Sequence, residues 1–341
     1  MPSPWLELDY QRVQAAGLQV LGHVRYGQGE YAAAEQQYLQ SIALFQQAND
    51  RYGQAKSLNS LGVIKRLRGQ YDQAQTHLQQ ALAITRELDD LYDAAVSLNN
   101  LGSVLRLLGQ YDEAQQCFEE SFRYRQTIND QNGLALTLNN LGNIASILKK
   151  PAAARAAYEE SLTICQQLGD RLGVARALNN LGIEAYLDGQ YEAAERYHRE
   201  SLDIKQAIGD DGGMVHSYYQ LGRTALAVGE ADQAWDYFER GLQTAVSIQS
   251  VPLMLMCLVG IVPLLAARSS ASFAFTVTAV ALRHPALFHQ MHQAAQATYD
   301  ELVETLAEEA VSAVQSQVEQ QTLDDMAARV LALGEQSHRH S

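Results

Sequence analysis

The sequence has 341 residues, with 39 Asp or Glu against 25 Lys or Arg and a formal net charge of −14. That balance excludes a protein built mainly to hold duplex nucleic acid, which needs a basic surface. Hydrophobic residues make up 47% and only six prolines occur, so material for a core is ample and no stretch reads as a disordered linker.

In chain order, the opening MPSPWLELDY lacks the basic and apolar regions of a signal peptide. Cys117, Cys165 and Cys257 are odd in number and show no C-x-x-C spacing, which reads as free thiols in a reducing compartment. A cytoplasmic protein is the expectation. A repeat then begins. Leu-x-x-Leu-Gly falls at Leu18/Leu21/Gly22, Leu58/Leu61/Gly62, Leu98/Leu101/Gly102, Leu138/Leu141/Gly142 and Leu178/Leu181/Gly182, with Tyr218/Leu221/Gly222 as a sixth copy. Ala34, Ala74, Ala114, Ala154, Ala194 and Ala234 keep the same interval of 40, and Ala274 extends it.

Each unit reads as two helices. In the second unit, helix A runs from about Tyr52 to Arg68, with Ala55, Leu58, Leu61, Gly62 and Lys65 at helical spacing. Gly69 supplies a left-handed stop, and Tyr71, Ala74, Leu78, Ala81, Leu82 and Leu88 mark helix B. Asp90 caps the next helix A, and Asn49-Asp50, Asn129-Asp130, Gly169-Asp170 and Gly209-Asp210 are equivalent junctions. Gly in helix A and Ala in helix B let the two axes approach. Tyr38, Leu78, Phe118, Tyr158 and Phe238 fill the space beside that contact.

These residues resemble the tetratricopeptide repeat: Leu101-Gly102, Tyr111, Ala114, Phe118 and Ser121 follow its pattern of Leu-Gly, aromatic, Ala, aromatic, small residue. The 40-residue spacing and the LNNLG stretch look like kinesin light chain, Pins/LGN and the sensor arrays of bacterial STAND-type ATPases and regulators. The resemblance covers about residues 12 to 250. It implies an all-α, right-handed superhelix of about seven helical hairpins with a C-terminal helical cap. It also implies that the concave wall of A helices is a peptide groove.

On helix A of the third unit, Leu98, Leu101, Gly102 and Leu105 form the stripe toward helix B. Val96, Asn99, Asn100, Ser103 and Leu107 form the stripe toward the concave wall. Projected through the array, Asn59, Asn99, Asn139 and Asn179 make one row; Ser60, Asn100, Asn140, Asn180 and Gln220 make the next. Beside them lie Lys56, Arg66, Arg106, Asn143, Arg176, Tyr186, His216, Tyr219 and Arg223. Primary amides both donate and accept, which suits an extended peptide backbone, and five cations in an acidic chain suit an acidic segment or a carboxylate. Two readings of the rows stand: they grip a ligand, or they bond to each other and hold the stack. The cations likewise read as ligand contacts or as a solvated face.

Unit four departs from the pattern, with Lys149-Lys150-Pro151 in place of Gly-Gln-Tyr, so a lysine must take the left-handed stop. His198 stands at an aromatic position and reads as a core histidine. His289 and His292 share a helix face without a third candidate metal ligand.

The expected division is residues 1–250 for the array, 251–285 for a degenerate seventh pair and 286–341 for an acidic helical cap. VPLMLMCLVGIVPLLAA, from Val251 to Ala267, carries two prolines and reads as a buried helix rather than a membrane span. A long helix is expected over residues 286–318 and a short one over 323–333, the latter capped by Thr322 with Asp325. From Pro285 onward nine Asp or Glu face Arg329 and Arg339. No phosphate loop, nucleophile elbow, HExxH or zinc spacing occurs, so neither enzyme chemistry nor a cofactor is expected. The expected role is a non-catalytic scaffold binding a peptide or protein segment, without nucleic acid or membrane as a direct partner. The alternatives are the ligand-sensing arm of a STAND-type ATPase or transcriptional regulator, and self-association through the apolar C-terminal region.

Overall fold

The structure is a computed structural model that describes residues 4–287 and 289–338, with side chains at 8–287, 291–316 and 318–334. Among these residues the chain is all α, with no strand. It divides into two compact units, Met1–Gly169 and Asp170–Ser341.

The first unit holds four hairpins: α1 (Pro4–Gly27) with α2 (Tyr31–Gln47), α3 (Arg51–Leu67) with α4 (Tyr71–Glu87), α5 (Leu91–Leu107) with α6 (Tyr111–Thr127), and α7 (Gln131–Ile147) with α8 (Pro151–Leu168). The second unit continues with α9 (Arg171–Leu187), α10 (Tyr191–Ile208), α11 (Asp211–Ala227), α12 (Ala231–Ser247), α13 (Val251–Arg268) and α14 (Ala271–Arg283). The odd-numbered helices are the A helices of the repeat. Within each unit, consecutive helices pack antiparallel and successive A helices touch. The result is a solenoid of helical hairpins, in which each pair buries the apolar face that its neighbour leaves open.

Punctuation sets the register. Asp50, Asp90, Asp130, Asp170 and Asp210 each accept a hydrogen bond from the backbone N–H three residues on, which satisfies an orphan donor at the start of an A helix. Gly29, Gly69, Gly109, Gly189 and Gly229 hold positive φ before the B helices, and Lys149 takes the same role at φ +56. Inside each of the first six hairpins the helix-A glycine faces the larger residue of helix B. A Cβ on Gly102 would stand 2.8 Å from the Phe118 ring, and one on Gly142 would stand 2.4 Å from the Tyr158 ring. The small position of helix B is often serine. Ser41, Ser121, Ser161 and Ser201 donate to the carbonyl oxygens of Ala15, Ala95, Ala135 and Ala175 in their partner A helices, at 2.7 to 2.9 Å.

Helix α13 is long and apolar enough to cross a membrane by length and composition, but it packs its Leu253–Leu265 face into the core of the second unit. The apolar residues of α14 join the same core. The one helix expected over residues 286–318 is instead α15 (His289–Thr305) and α16 (Glu308–Gln317), followed by a 3-10 turn (Val318–Gln320). The break at Leu306-Ala307 lets Leu302, Leu306, Val311 and Val314 all reach one core, past which a straight helix would carry them. Glu308 and Glu309 favour a new helix N-terminus there. Helix α17 (Leu323–His338) follows and packs on α12, α13 and α14. Its expected cap is present: Thr322 N–H donates to Asp325 Oδ2 at 3.1 Å, and Asp325 N–H donates to Thr322 Oγ1 at 3.1 Å.

Candidate functional site

The doubled asparagines of the first unit lie where α3, α5 and α7 stand side by side. They bond to one another. Asn100 Nδ2 donates to Asn59 Oδ1 at 3.1 Å, and Asn140 Nδ2 donates to Asn99 Oδ1 at 2.9 Å. The second amide of one helix thus reaches back to the first amide of the helix before it. Asn99 is buried, while Asn59, Asn100, Asn139 and Asn140 are half-buried. Asn143 accepts a 2.8 Å hydrogen bond from the Tyr158 hydroxyl, whose ring lies over Gly142. The amides therefore tie neighbouring hairpins together as well as presenting polar atoms.

Between α1, α3 and α5 a pocket of about 260 Å³ opens, with His23, Lys56, Asn59, Ser60, Tyr92 and Asp93 on its walls. Lys56 Nζ sits 5.1 Å from the centre of the Tyr52 ring and 3.4 Å from its hydroxyl. Burial first, then the nearby Lys56 charge, lowers the His23 imidazole below its usual value and favours the neutral ring. Burial, then the Asp90 carboxylate, raises Asp93. Sequence projection found Lys56 and Asn59 but missed Tyr92 and Asp93, which sit in the first turn of α5. The one signal there was an aromatic at a helix start that no partner in its own helix explains.

Arg66 and Arg106 occupy equivalent positions in the last turns of α3 and α5. Burial first, then the charge of Arg66, lowers the Arg106 guanidinium. Arg66 Nε is buried without a hydrogen-bond partner. Elsewhere in this unit cations find acids: Lys65 and Arg68 share Glu35, Arg51 pairs with Glu87, Arg86 with Glu120 and Arg125 with Asp130.

The second unit gathers a different set. Arg223 lies 4.5 Å over the Tyr186 ring and 5.8 Å from the Tyr219 ring, and its Nη1 donates to Gln220 Oε1 at 3.1 Å. Tyr219 is buried and donates to Met291 Sδ at 3.5 Å. Asn179 and Asn180 are half-buried on α9, and Asn179 Oδ1 is buried without a partner. Arg176 and His216 are exposed. Among the described residues none of the five inner cations, Lys56, Arg66, Arg106, Arg176 and Arg223, makes an ion pair.

His198 lies in the core with its ring against Gly182, where the other units place a tyrosine, phenylalanine or leucine. Burial, reinforced by Lys205 and Arg223 and opposed only weakly by the backbone of Gly182, holds its imidazole down at about 3, so it is a neutral core residue. The His289 side chain lies outside the described residues; among those described, no group of three or more His, Cys, Asp or Glu is placed to hold a metal.

The tetratricopeptide repeat family model matches five overlapping segments, residues 13–87, 53–127, 93–167, 133–207 and 174–245. No curated protein matches the sequence. Among solved structures the chain is similar to the apo form of RapI, with 14% identity, 90% of this chain and 99% of that one covered, and a TM-score of 0.62. It is similar to a Rap protein complexed with Competence and Sporulation Factor at 12% identity, covering 93% of this chain and 99% of that one, with a TM-score of 0.61. It is also similar to a STAND protein with a tetratricopeptide repeat sensor from Pyrococcus horikoshii, at 14% identity and a TM-score of 0.59, covering 89% of this chain and 46% of that one. At these identities the likeness concerns the fold. With the family model running from residue 13 to 245 and the contacts of the helix-A glycine with the larger helix-B residue repeating in register, the chain belongs to the tetratricopeptide repeat family.

Proposed function

We propose that the protein is a non-catalytic, cytoplasmic scaffold that binds an acidic peptide or protein segment along the A-helix face of its first unit. The observation that carries this reading is the contrast among the cations. Lys65, Arg68, Arg51, Arg86 and Arg125 pair with carboxylates, whereas Lys56, Arg66 and Arg106 on the A-helix face pair with none among the described residues. In a chain of net charge −14, three such cations beside a ladder of amides offer counter-charge and backbone hydrogen bonds to an acidic strand. Arg176, Asn179, Asn180, Tyr186 and Arg223 extend the reading to the A-helix face of the second unit, from which Tyr219 is withdrawn by its burial. Fluorescence anisotropy with labelled peptides of equal length and acidic, neutral or basic composition tests the proposal. Acidic peptides should bind most tightly, with affinity falling as salt rises. A folded Lys56→Ala/Arg66→Ala/Arg106→Ala variant should lose that preference; an unchanged preference rejects the site.

The pocket of about 260 Å³ between α1, α3 and α5 favours a second reading, a sensor arm of a signalling ATPase or transcriptional regulator that takes a small polar effector. Under that reading a small zwitterion such as a free amino acid protects Tyr92 from solvent quenching, and Lys56→Ala abolishes the protection.

A further inference from the structure

We infer that helix α1 is the docking face for a second copy of this chain. In every later hairpin of the first unit the A helix receives the B helix of the hairpin before it. The Phe45 ring of α2 lies over Gly53 of α3, and the Ser41 and Ser57 hydroxyls meet at 3.0 Å. Helix α1 has the same kind of face without the covering helix. Leu61 is 0% and Ile64 1% exposed, but their equivalents forty residues earlier, Leu21 and Val24, are 51% and 49% exposed. The repeat goes further at two places. Gly53 and Ser60 of α3 correspond to Val13 and Val20 of α1, which are 72% and 60% exposed. With Tyr10 these residues lie within one arc of the helix and form a continuous apolar stripe. A solenoid needs a polar outer face at each end. The last hairpin has helices α15 to α17 packed against it, whereas among the described residues α1 is packed only by α2 and α3.

Two features select a second copy as the occupant. First, α1 is neutral, since Glu7 and Asp9 balance Arg12 and Arg25, so two copies approach there without the repulsion that a net charge of −14 imposes elsewhere. Second, the stripe is symmetric about Gly17. Tyr10 and Val13 precede it by seven and four residues, and Val24 and Leu21 follow it by the same seven and four. A two-fold axis through Gly17 lays Tyr10 and Val13 of one copy against Val24 and Leu21 of the other, with Val20 beside them on the same arc, which is what a self-complementary interface requires. Nothing lies within 4 Å of where a Gly17 Cβ would stand, so the two backbones can come close. One helix pair buries less than the roughly 1,600 Å² of a standard interface. The dimer is therefore weak and concentration-dependent.

Sedimentation velocity on the whole chain tests this. The wild type should shift from monomer to dimer as concentration rises through the micromolar range. Val13→Glu/Val20→Glu and Val13→Lys/Val20→Lys variants should each remain monomeric with unchanged thermal unfolding, because both valines are largely exposed. A mixture of the two variants should recover the dimer, since the glutamates of one copy then lie beside the lysines of the other near the axis. A wild type that stays monomeric throughout overturns the inference. So does a dimer that persists in the glutamate variant, or a mixture that stays monomeric when the wild type dimerises.

Discussion

Asn140 of α7 donates to the buried side-chain oxygen of Asn99 on α5 at 2.9 Å. The bond joins adjacent hairpins, so Asn99 belongs to the stack before it belongs to any ligand. Asn99→Ala is expected to lower the stability of the chain by about 0.5–1.5 kcal/mol, because it removes a bond between hairpins and leaves the half-buried Asn140 amide without that partner. Asn99→Ala combined with Asn140→Ala should cost less than the sum of the two, with a coupling of about 0.5–1.5 kcal/mol. Urea midpoints of the four proteins measure it, and additive losses would show that the pair does not act as a unit.

Arg106 should behave in the opposite way. It is desolvated beside Arg66 and has no acidic partner among the described residues, so the fold gains little from its charge. Arg106→Ala should leave stability within about 0.5 kcal/mol of the wild type. Its cost should fall on an acidic peptide, whose affinity drops about tenfold and becomes less salt-dependent. Thermal unfolding and anisotropy on the same preparation separate the two effects.

His198 makes stability depend on pH. In the unfolded chain its imidazole takes up a proton near 6.5, while in the fold it does so only near 3. The unfolded state therefore binds the extra proton; the stabilisation is complete above about pH 6.5 and is lost progressively as pH falls toward 3. Between pH 7 and pH 5 the wild type should lose about 1–2 kcal/mol more than His198→Phe, whose ring matches Phe118 and Phe238 at the same position. Denaturation at the two pH values gives the difference directly, and equal acid losses would disprove it.

Lys149 holds φ +56 at a turn where five other units use glycine. Lys149→Gly should stabilise the chain by about 0.5–1 kcal/mol through relief of the left-handed backbone, partly offset by the greater freedom of glycine in the unfolded chain. Differential scanning calorimetry reads this as a raised melting temperature.

The hairpins were legible because each depends on contacts close in sequence. Gly102 and Phe118 are sixteen residues apart, and the pattern that brings them together repeats six times in one register. The caps at Asp50 through Asp210 are more local still. The candidate site was only partly legible. A helical projection shows which face Asn99 and Asn100 leave from, but the choice of Asn59 and Asn140 as partners depends on how far one helix slides along the next. The pocket beside Tyr92 and Asp93 depends on the same offset between three helices. The break at Leu306-Ala307 was hidden for another reason: no glycine or proline marks it, and the bend is set by the core that Leu302 and Val311 must both reach.

Helix α17 does something that no helix of the first four hairpins does: it comes back to α12 across the intervening chain. Hairpins that touch only their neighbours can peel away singly, so the front of the molecule can open like a zip, one pair after another. The stretch from α12 to α17 is instead buckled into a loop, and opening any part of it means releasing the clasp. Amide exchange should therefore be graded over the early hairpins and uniform over this closing segment, which would melt as a single block.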